Sequence, residues 1–241
     1  MTQSHVGSAV LRTVDDLRGP AGRLEALLNP GSPAAPFAAL VCHPHPLGGG
    51  TLHNKVVYHA MKSLQSFGLP VLRFNFRGTG LSEGVHDYGE GEQDDVLAAL
   101  DWLEREFGRP VLFAGFSFGA YVGLRACCGD PRVAGLIALG LPVHAEGRDY
   151  QYDFLRDCRQ PKLFVSGTRD RYGPVAQVEA AVSLAAEPKE LVWIADADHF
   201  FTITASGNPA APQQHAGSKL EEMRSVLRAW AQRQFPALAS Q

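Results

Sequence analysis

Short apolar runs alternate along the chain with segments in which apolar residues recur every three or four positions. The apolar runs are rich in β-branched and aromatic residues, and they predict buried strands at 37–42, 71–76, 111–114, 133–139, 162–166 and 190–194. The periodic segments predict helices at 54–67, 93–107, 175–186 and 219–234, with a further helix directly after residue 117. This alternation favours an α/β fold with a mostly parallel central sheet and helices on both faces.

Two segments near the N-terminus, 9–16 and 22–29, predict an antiparallel hairpin around Gly19 and Pro20. The chain shows no internal repeat. Two polar stretches that contain glycine and proline, 141–159 and 202–217, are each too short to form a separate domain. We therefore expect a single domain over residues 1–241 without a large lid, and we expect the second stretch to form an irregular surface loop.

The composition is that of an ordinary soluble globular protein, because 45% of the 241 residues are hydrophobic and 20% are charged. The net charge of −3 gives no reason to expect nucleic acid or an anionic membrane as a partner. No apolar run approaches the roughly 18 residues that span a membrane. The N-terminal segment lacks the basic start and apolar core of a signal peptide, so we expect a cytoplasmic protein, either a monomer or a homodimer.

The four cysteines are Cys42, Cys127, Cys128 and Cys158, and their spacing matches no zinc site. Three of them lie in apolar stretches. In a cytosolic protein this pattern predicts reduced, buried thiols.

The motif G-x-S-x-G occurs twice, around Ser117 and around Ser82. A nucleophilic serine of this kind stands on a strained turn between a strand and a helix, which exposes its hydroxyl. Only Ser117 has that setting, since the apolar run 111–114 precedes it and a helical segment follows. Ser82 is followed by a polar, glycine-rich stretch at 85–92, so we interpret it as a loop residue.

A serine nucleophile needs a base within hydrogen-bond reach and a carboxylate that orients the base. Asp170 directly follows the strand 162–166, and His199 follows the strand 190–194, so both are expected at the carboxyl edge of the sheet. His215 is the only other histidine after Asp170, and it lies in the irregular loop. Asp196 and Asp198 share a loop with His199 and are less well placed to brace it; we expect Asp198 to shape the turn.

An oxyanion hole for the developing negative charge needs two backbone N–H groups. One is expected from Phe118, directly after the serine. The other is expected from the loop after the strand 37–42, where two prolines have no N–H and leave His45 or Leu47, of which we favour His45. His43 and His45 also resemble a metal-ligand pair, but no further ligand spacing completes a site, so we expect neither a metal ion nor another cofactor. The alternative for His43 is packing and hydrogen bonding beneath the loop.

Five segments carry a resemblance to a known family. In chain order their sequences are HPHPLGGGTLHNKVV, RFNFRGTGLSEG, GFSFG, PKLFVSGTRD and ADHFF. In these segments, and over nearly its whole length, the chain resembles the α/β-hydrolase superfamily. It is most similar to a small, lidless bacterial branch related to dienelactone hydrolase-like esterases. The resemblance implies Ser117 as nucleophile, His199 as base and Asp170 as acid, and it implies a structural turn at Ser82.

The function that we expect is a serine hydrolase that cleaves a carboxylic ester with a short or compact acyl group through an acyl-enzyme, with a small-molecule ester as substrate. Phe116, Phe118, Phe200 and Phe201 could line an apolar pocket, although such residues are as often part of the core. The same triad also serves thioesterases, lactonases, peptidases and acyltransferases, and fold and triad do not choose among these. A ligand-binding protein of the hydrolase fold with little turnover is the alternative outside enzymes.

Overall fold

The computed structural model describes residues 10–145, 147–203 and 218–238. Eight of the described strands form one sheet, and five α-helices are present in the same residues. The strands are β1 (Arg12–Val14), β2 (Ala26–Asn29), β3 (Ala38–Cys42), β4 (Val71–Phe74), β5 (Val111–Phe116), β6 (Val133–Leu139), β7 (Lys162–Gly167) and β8 (Lys189–Ile194). The helices are α1 (Lys55–Gln65), α2 (Gly91–Phe107), α3 (Phe118–Cys127), α4 (Val175–Ser183) and α5 (Leu220–Gln234).

The order of strands across the sheet is β1-β2-β4-β3-β5-β6-β7-β8. The first two neighbouring pairs in this order, β1 with β2 and β2 with β4, are antiparallel, and every later pair is parallel. The predicted N-terminal hairpin is therefore present as β1 and β2. The mostly parallel α/β sheet is confirmed, and the six strands predicted from residue 37 onward have bounds within two residues of the prediction, whereas β1 and β2 are shorter than the segments 9–16 and 22–29.

Both faces of the sheet are covered. Helices α2, α3 and α4 bury their apolar sides on one face, and α1 and α5 bury theirs on the other. In β5 the side chain of Phe113 lies in the first core, whereas those of Leu112 and Ala114 lie in the second. A strand buried on both faces reads as a continuous apolar run, which is why the sequence pattern located these strands so closely.

The parallel strands bring their carboxyl ends to one edge of the sheet. The loop after β3, the turn after β5 and the loops after β7 and β8 all leave from this edge. Residues 204–217, most of the stretch predicted to be an irregular loop, lie outside the described residues. No helical domain covers this edge in the described part of the chain, in keeping with the expected absence of a large lid.

Two short ribbons and three 3-10 turns complete the described structure. The ribbons pair Arg18–Gly19 with Gly22–Arg23 and His144–Ala145 with Arg148–Asp149. The 3-10 turns are Pro46–Gly48, Asp153–Asp157 and Pro236–Leu238. None of the helices in the described ranges is long and apolar enough to cross a membrane.

The prediction of four reduced cysteines was wrong for one pair. Cys128 and Cys158 form a disulfide, with their Cα atoms 5.1 Å apart, whereas Cys42 and Cys127 are free and buried. Cys128 directly follows α3 and Cys158 directly follows the 3-10 turn Asp153–Asp157. These two residues are 30 positions apart in the chain, and only the packing of α3 beside that turn brings them together.

Candidate active site

Ser117 occupies a strained turn between β5 and α3. Its φ of 55° and ψ of −122° lie in a region that residues with a side chain rarely adopt. The turn is also tightly packed, because a Cβ on Gly115 would lie 2.5 Å from the carbonyl oxygen of Gly119. A Cβ on Gly119 would lie 2.3 Å from the carbonyl oxygen of His43. Glycine on both sides of the serine therefore allows the sharp turn and the close approach of the loop after β3.

Three predicted site residues lie in one line of hydrogen bonds at this edge. His199 Nε2 is 2.9 Å from Ser117 Oγ, and His199 Nδ1 is 2.7 Å from Asp170 Oδ2. All three side chains are buried. Because a carboxylate only accepts, Nδ1–H donates to Asp170 and Nε2 presents its lone pair to the serine hydroxyl. This is the arrangement in which a histidine can take the proton of a serine.

The Asp170 carboxylate is held from behind by the backbone. Its Oδ1 accepts the N–H groups of Tyr172 at 2.8 Å and Gly173 at 3.3 Å. The ring of Tyr172 also packs edge-on against the His199 imidazole, with 4.7 Å between ring centroids. The loop after β7 therefore orients both the acid and the base.

The other two acidic residues near His199 have separate roles. Asp196 is exposed and forms an ion pair with Arg169. Asp198 Oδ1 accepts the N–H groups of Phe200 and Thr202, and its Oδ2 accepts the Thr202 hydroxyl. Asp198 thus shapes the turn that carries the histidine, as its position predicted.

The second G-x-S-x-G motif forms a turn that its serine closes internally. Ser82 Oγ donates to the carbonyl oxygen of Asn75 at 2.6 Å and accepts the N–H of Glu25 at 2.9 Å. Ser82 is buried, and both of its partners adjoin the paired strands β2 and β4, so its hydroxyl is committed to holding this turn on the sheet. His215, the remaining alternative for the base, lies outside the described residues.

The loop after β3 folds back on His45. His45 Nδ1 accepts the N–H of Leu47 at 3.2 Å, and its carbonyl oxygen accepts those of Gly48 and Gly50. Gly49 donates to the carbonyl oxygen of Pro46. The N–H of Leu47 is therefore engaged inside the loop, which argues against Leu47 as an oxyanion donor and leaves His45 as the candidate from this loop. The N–H of Phe118 is the first of α3 and adjoins Ser117.

His43 anchors the base of the same loop. Its Nδ1–H donates to the carbonyl oxygen of Pro44 at 2.6 Å, and its Nε2 accepts the N–H of Phe76 at 3.0 Å. Burial, assisted by the neighbouring His45, lowers the pKa of His43 to about 4 despite the hydrogen bond to Pro44. Both ring nitrogens are thus in use in a neutral imidazole. No set of three or more histidine, cysteine or acidic residues in the described ranges is arranged to hold a metal ion.

A cavity of about 90 Å³ opens above the serine and the histidine. Its walls combine backbone of the loop after β3 with aromatic side chains; the lining residues are Pro44, His45, Gly48, Gly49, Gly50, Asn54, Ser117, Ala145, Tyr150, Tyr172, His199 and Phe200. Tyr172 follows Asp170 so closely that the strand-end argument could have found it. Tyr150 comes from the stretch 141–159, for which the sequence carried no such signal.

Of the four phenylalanines named from the sequence as pocket candidates, one lines the cavity. Phe200 stands at its rim with 47% of its surface exposed. Phe116, Phe118 and Phe201 are fully buried in the core, so their assignment to the pocket was wrong. Phe116 instead packs against the His199 ring, with centroids 5.0 Å apart.

Comparison with known proteins places this geometry in a family. Residues 38–228 match the model of the alpha/beta hydrolase domain. An uncharacterised protein of Rickettsia prowazekii is 39% identical over 191 residues, which are 76% of this chain and 79% of that protein.

Two solved structures are similar over nearly the whole chain. An alpha-beta serine hydrolase homologue from Coxiella burnetii is 35% identical with a TM-score of 0.73, over 94% of this chain and 99% of that one. An α/β serine hydrolase without a lid from Xanthomonas campestris is 32% identical with a TM-score of 0.74, over 94% and 95%. These two structures are of α/β serine hydrolase homologues, and the chain itself belongs to the alpha/beta hydrolase domain family.

Proposed function

We propose that this protein is a serine hydrolase that cleaves carboxylic esters with a short or compact acyl group. The observation that carries the proposal is the continuous line of hydrogen bonds from Asp170 through His199 to Ser117, which opens into the cavity. Few structural roles require a buried carboxylate, an imidazole and a hydroxyl in this order on a strained turn.

Each residue has a step in the proposed reaction. Ser117 Oγ attacks the carbonyl carbon of the ester, and His199 Nε2 takes the hydroxyl proton. The carboxylate of Asp170 stabilises the resulting imidazolium and keeps its orientation. The tetrahedral oxyanion accepts hydrogen bonds from the backbone N–H groups of Phe118 and His45.

The intermediate then collapses, and the proton on His199 passes to the leaving alkoxide, which departs as an alcohol. Water, deprotonated by the same imidazole, attacks the acyl-enzyme; the bond from Ser117 Oγ to the acyl carbon then breaks, His199 returns the proton to Ser117 Oγ, and the carboxylic acid is released. Atoms and protons balance with water as the only co-reactant.

The size of the cavity supports a short or compact acyl group. At about 90 Å³ it is well below the roughly 300–1,000 Å³ of pockets for drug-sized ligands. The rim residue Phe200 and the wall residues Tyr150 and Tyr172 offer apolar contact on one side, and the glycine-rich loop offers backbone on the other. A long acyl chain would extend past the rim into solvent.

The test is hydrolysis of p-nitrophenyl esters of two to twelve carbons by the wild type, Ser117→Ala and Ser82→Ala. We expect turnover that is greatest for the short chains, lost in Ser117→Ala and kept in Ser82→Ala, which changes the same motif outside the site. Equal turnover in wild type and Ser117→Ala would overturn the assignment of the nucleophile.

Parallel assays separate the other reactions that the same triad performs. Thioester, lactone and anilide substrates with the same acyl group would show which leaving group is preferred. Labelling of Ser117 by a fluorophosphonate probe without turnover of any of these would argue for a narrower substrate. Absence of both labelling and turnover would favour a ligand-binding protein and contradict the proposal.

A further inference from the structure

The imidazole of His45 is enclosed by three segments that meet beside the nucleophile. We infer that this side chain is a positioning group for the oxyanion hole: it holds the loop after β3 against Phe118, so that the two proposed backbone donors face one point. The inference rests on the proposed hydrolase function. It concerns the side chain of His45, which acts through other groups and takes no part in proton transfer.

The first contact folds the loop itself. His45 Nδ1 accepts the N–H of Leu47, two residues further on, at 3.2 Å. The same residue's carbonyl oxygen accepts the N–H groups of Gly48 and Gly50 at 3.1 and 3.0 Å. Three of the loop's donors thus converge on one residue, and with Gly49 in the left-handed region the loop has little freedom of its own.

The second contact joins the two sides of the oxyanion hole. The His45 ring packs edge-on against the ring of Phe118, with centroids 4.7 Å apart. Phe118 is fully buried, and its ring also meets Phe76 at 5.7 Å. His45 and Phe118, whose backbone N–H groups are proposed to bind the oxyanion, are therefore in direct contact through their side chains. A displacement of about 1 Å at such a site can lower the rate by about 100-fold.

The third contact adds another ring beside the imidazole. The ring of His86 lies 4.9 Å from that of His45, and Nδ1 of His86 lies 2.8 Å from Oε1 of Glu92. Glu92 is fully buried at the start of α2, and its two oxygens accept the N–H groups of Asp87 and Gly89. The His86 ring also lies 5.5 Å from that of Phe118, so the rings of His45, Phe118 and His86 pack against one another beside the first turn of α2.

The protonation state of His45 agrees with this role. Burial, with further contributions from His86 and Arg148, lowers the pKa of His45 to about 4. At neutral pH the ring is uncharged, and the lone pair of Nδ1 stays available to the N–H of Leu47. A charged imidazole would carry hydrogens on both nitrogens and would lose that contact.

Three variants separate the hydrogen bond of the side chain from its ring contacts. His45→Asn keeps an acceptor for the N–H two residues on but removes the ring, because an asparagine side chain makes the same short-range turn. His45→Phe keeps a ring against Phe118 but removes the acceptor, and His45→Ala removes both. His59→Ala is the matched control, since His59 is a partly buried histidine on α1 away from the cavity.

The measurements are kcat and KM on a short-chain p-nitrophenyl ester, the rate of labelling of Ser117 by a fluorophosphonate, and the melting temperature. We expect His45→Ala to lower kcat and the labelling rate about 10- to 100-fold with KM within about threefold. The reason is that the backbone N–H groups of the oxyanion hole bind the oxyanion of the transition state more strongly than the carbonyl of the bound ester. His45→Asn and His45→Phe should each recover part of the loss. His59→Ala should match the wild type in both rates.

Two results would overturn the inference, and they differ in what they say of the function. If the wild type turns over and His45→Ala keeps kcat and labelling within twofold while melting lower, the side chain is only structural. If the wild type neither hydrolyses esters nor reacts with the probe, the proposed hydrolase function fails and this inference fails with it.

Discussion

The carboxylate of Asp170 lies 2.7 Å from Nδ1 of His199, although two other aspartates are much nearer to that histidine in the chain. The reason is topological. Asp170 follows β7 and His199 follows β8, and these are neighbouring parallel strands that end at the same edge. A side chain from the adjacent strand end can approach the imidazole from behind, whereas Asp196 and Asp198 belong to the turn that carries the ring.

Replacement of Asp170 by asparagine tests this relationship. The new side chain would keep an oxygen for the N–H groups of Tyr172 and Gly173, but its amide would donate to Nδ1 of His199. The proton of the imidazole would then sit on Nε2 and block the acceptance of the Ser117 proton. We expect Asp170→Asn to lower kcat about 10³- to 10⁴-fold with little change in melting temperature.

The matched control for that variant is Asp196→Asn. Asp196 is exposed and its carboxylate pairs with Arg169 at the surface, so kcat should remain within about twofold. Steady-state kinetics on a short-chain ester decide between the two carboxylates. An equal loss in both variants would contradict the assignment of Asp170 as the partner of His199.

Much of this architecture could be predicted because it depends on patterns that are local in the chain. The strand at Val133–Leu139 was predicted with its observed bounds, since a strand buried on both faces reads as an unbroken apolar run. The residues of the proposed triad could be named because parallel strands all end at one edge, so that polar residues just past β5, β7 and β8 must lie near each other.

The features that the sequence did not reveal depend on contacts between distant segments. The pairing of Cys128 with Cys158 follows from the packing of α3 beside the turn Asp153–Asp157. The contribution of Tyr150 to the cavity follows from the path of the stretch 141–159. Neither the disulfide pairing nor the position of Tyr150 can be predicted from the residues adjacent to it in the chain.

The sequence pattern also did not distinguish the positions of Phe200 and Phe201. The two rings are adjacent in the chain, yet the turn closed by Asp198 and the positive φ of 56° at Phe201 send one to the rim and the other into the core. Apolar character alone could not distinguish them, because both a pocket wall and a core accept phenylalanine.

Truncation of Phe201 should therefore affect stability, and truncation of Phe200 should affect substrate binding. Phe201→Ala should lower the free energy of unfolding by about 3–5 kcal/mol, since it leaves a cavity in the core. Phe200→Ala should change stability by less than about 0.5 kcal/mol. It should instead raise KM for short-chain esters and weaken the preference for chain length. Urea unfolding and the ester panel measure the two effects, and a stability loss confined to Phe200→Ala would contradict the placement of the rings.

The disulfide should stabilise the folded protein measurably. In the chain-entropy description, a crosslink across 30 residues lowers the conformational entropy of the unfolded state, which raises its free energy by about 3–4 kcal/mol. Reductant or Cys128→Ala should therefore lower the free energy of unfolding by roughly this amount. Reductant should have no further effect on Cys128→Ala, which serves as the control. Equal unfolding curves for the wild type with and without reductant would show that the crosslink is not a stabilising element.

Stability should also fall in mildly acidic solution because of His43. Its pKa is lowered from 6.5 to about 4 in the folded protein, so between these values the unfolded chain binds a proton that the folded one does not. The stabilisation is present above pH 6.5 and is lost as the pH falls towards 4. His45, whose pKa is likewise lowered to about 4, acts in the same direction.

For His43 alone the loss between pH 7 and pH 5 should be about 2 kcal/mol in the free energy of unfolding. His43→Gln removes the titrating group, so this variant should be less stable than the wild type at pH 7 but should lose about 2 kcal/mol less on acidification. Urea unfolding at the two pH values measures the difference, with His144→Ala as the control because His144 lies at the surface. The same pH dependence in His43→Gln and the wild type would mean that the buried imidazole beneath the loop after β3 is not the group that titrates.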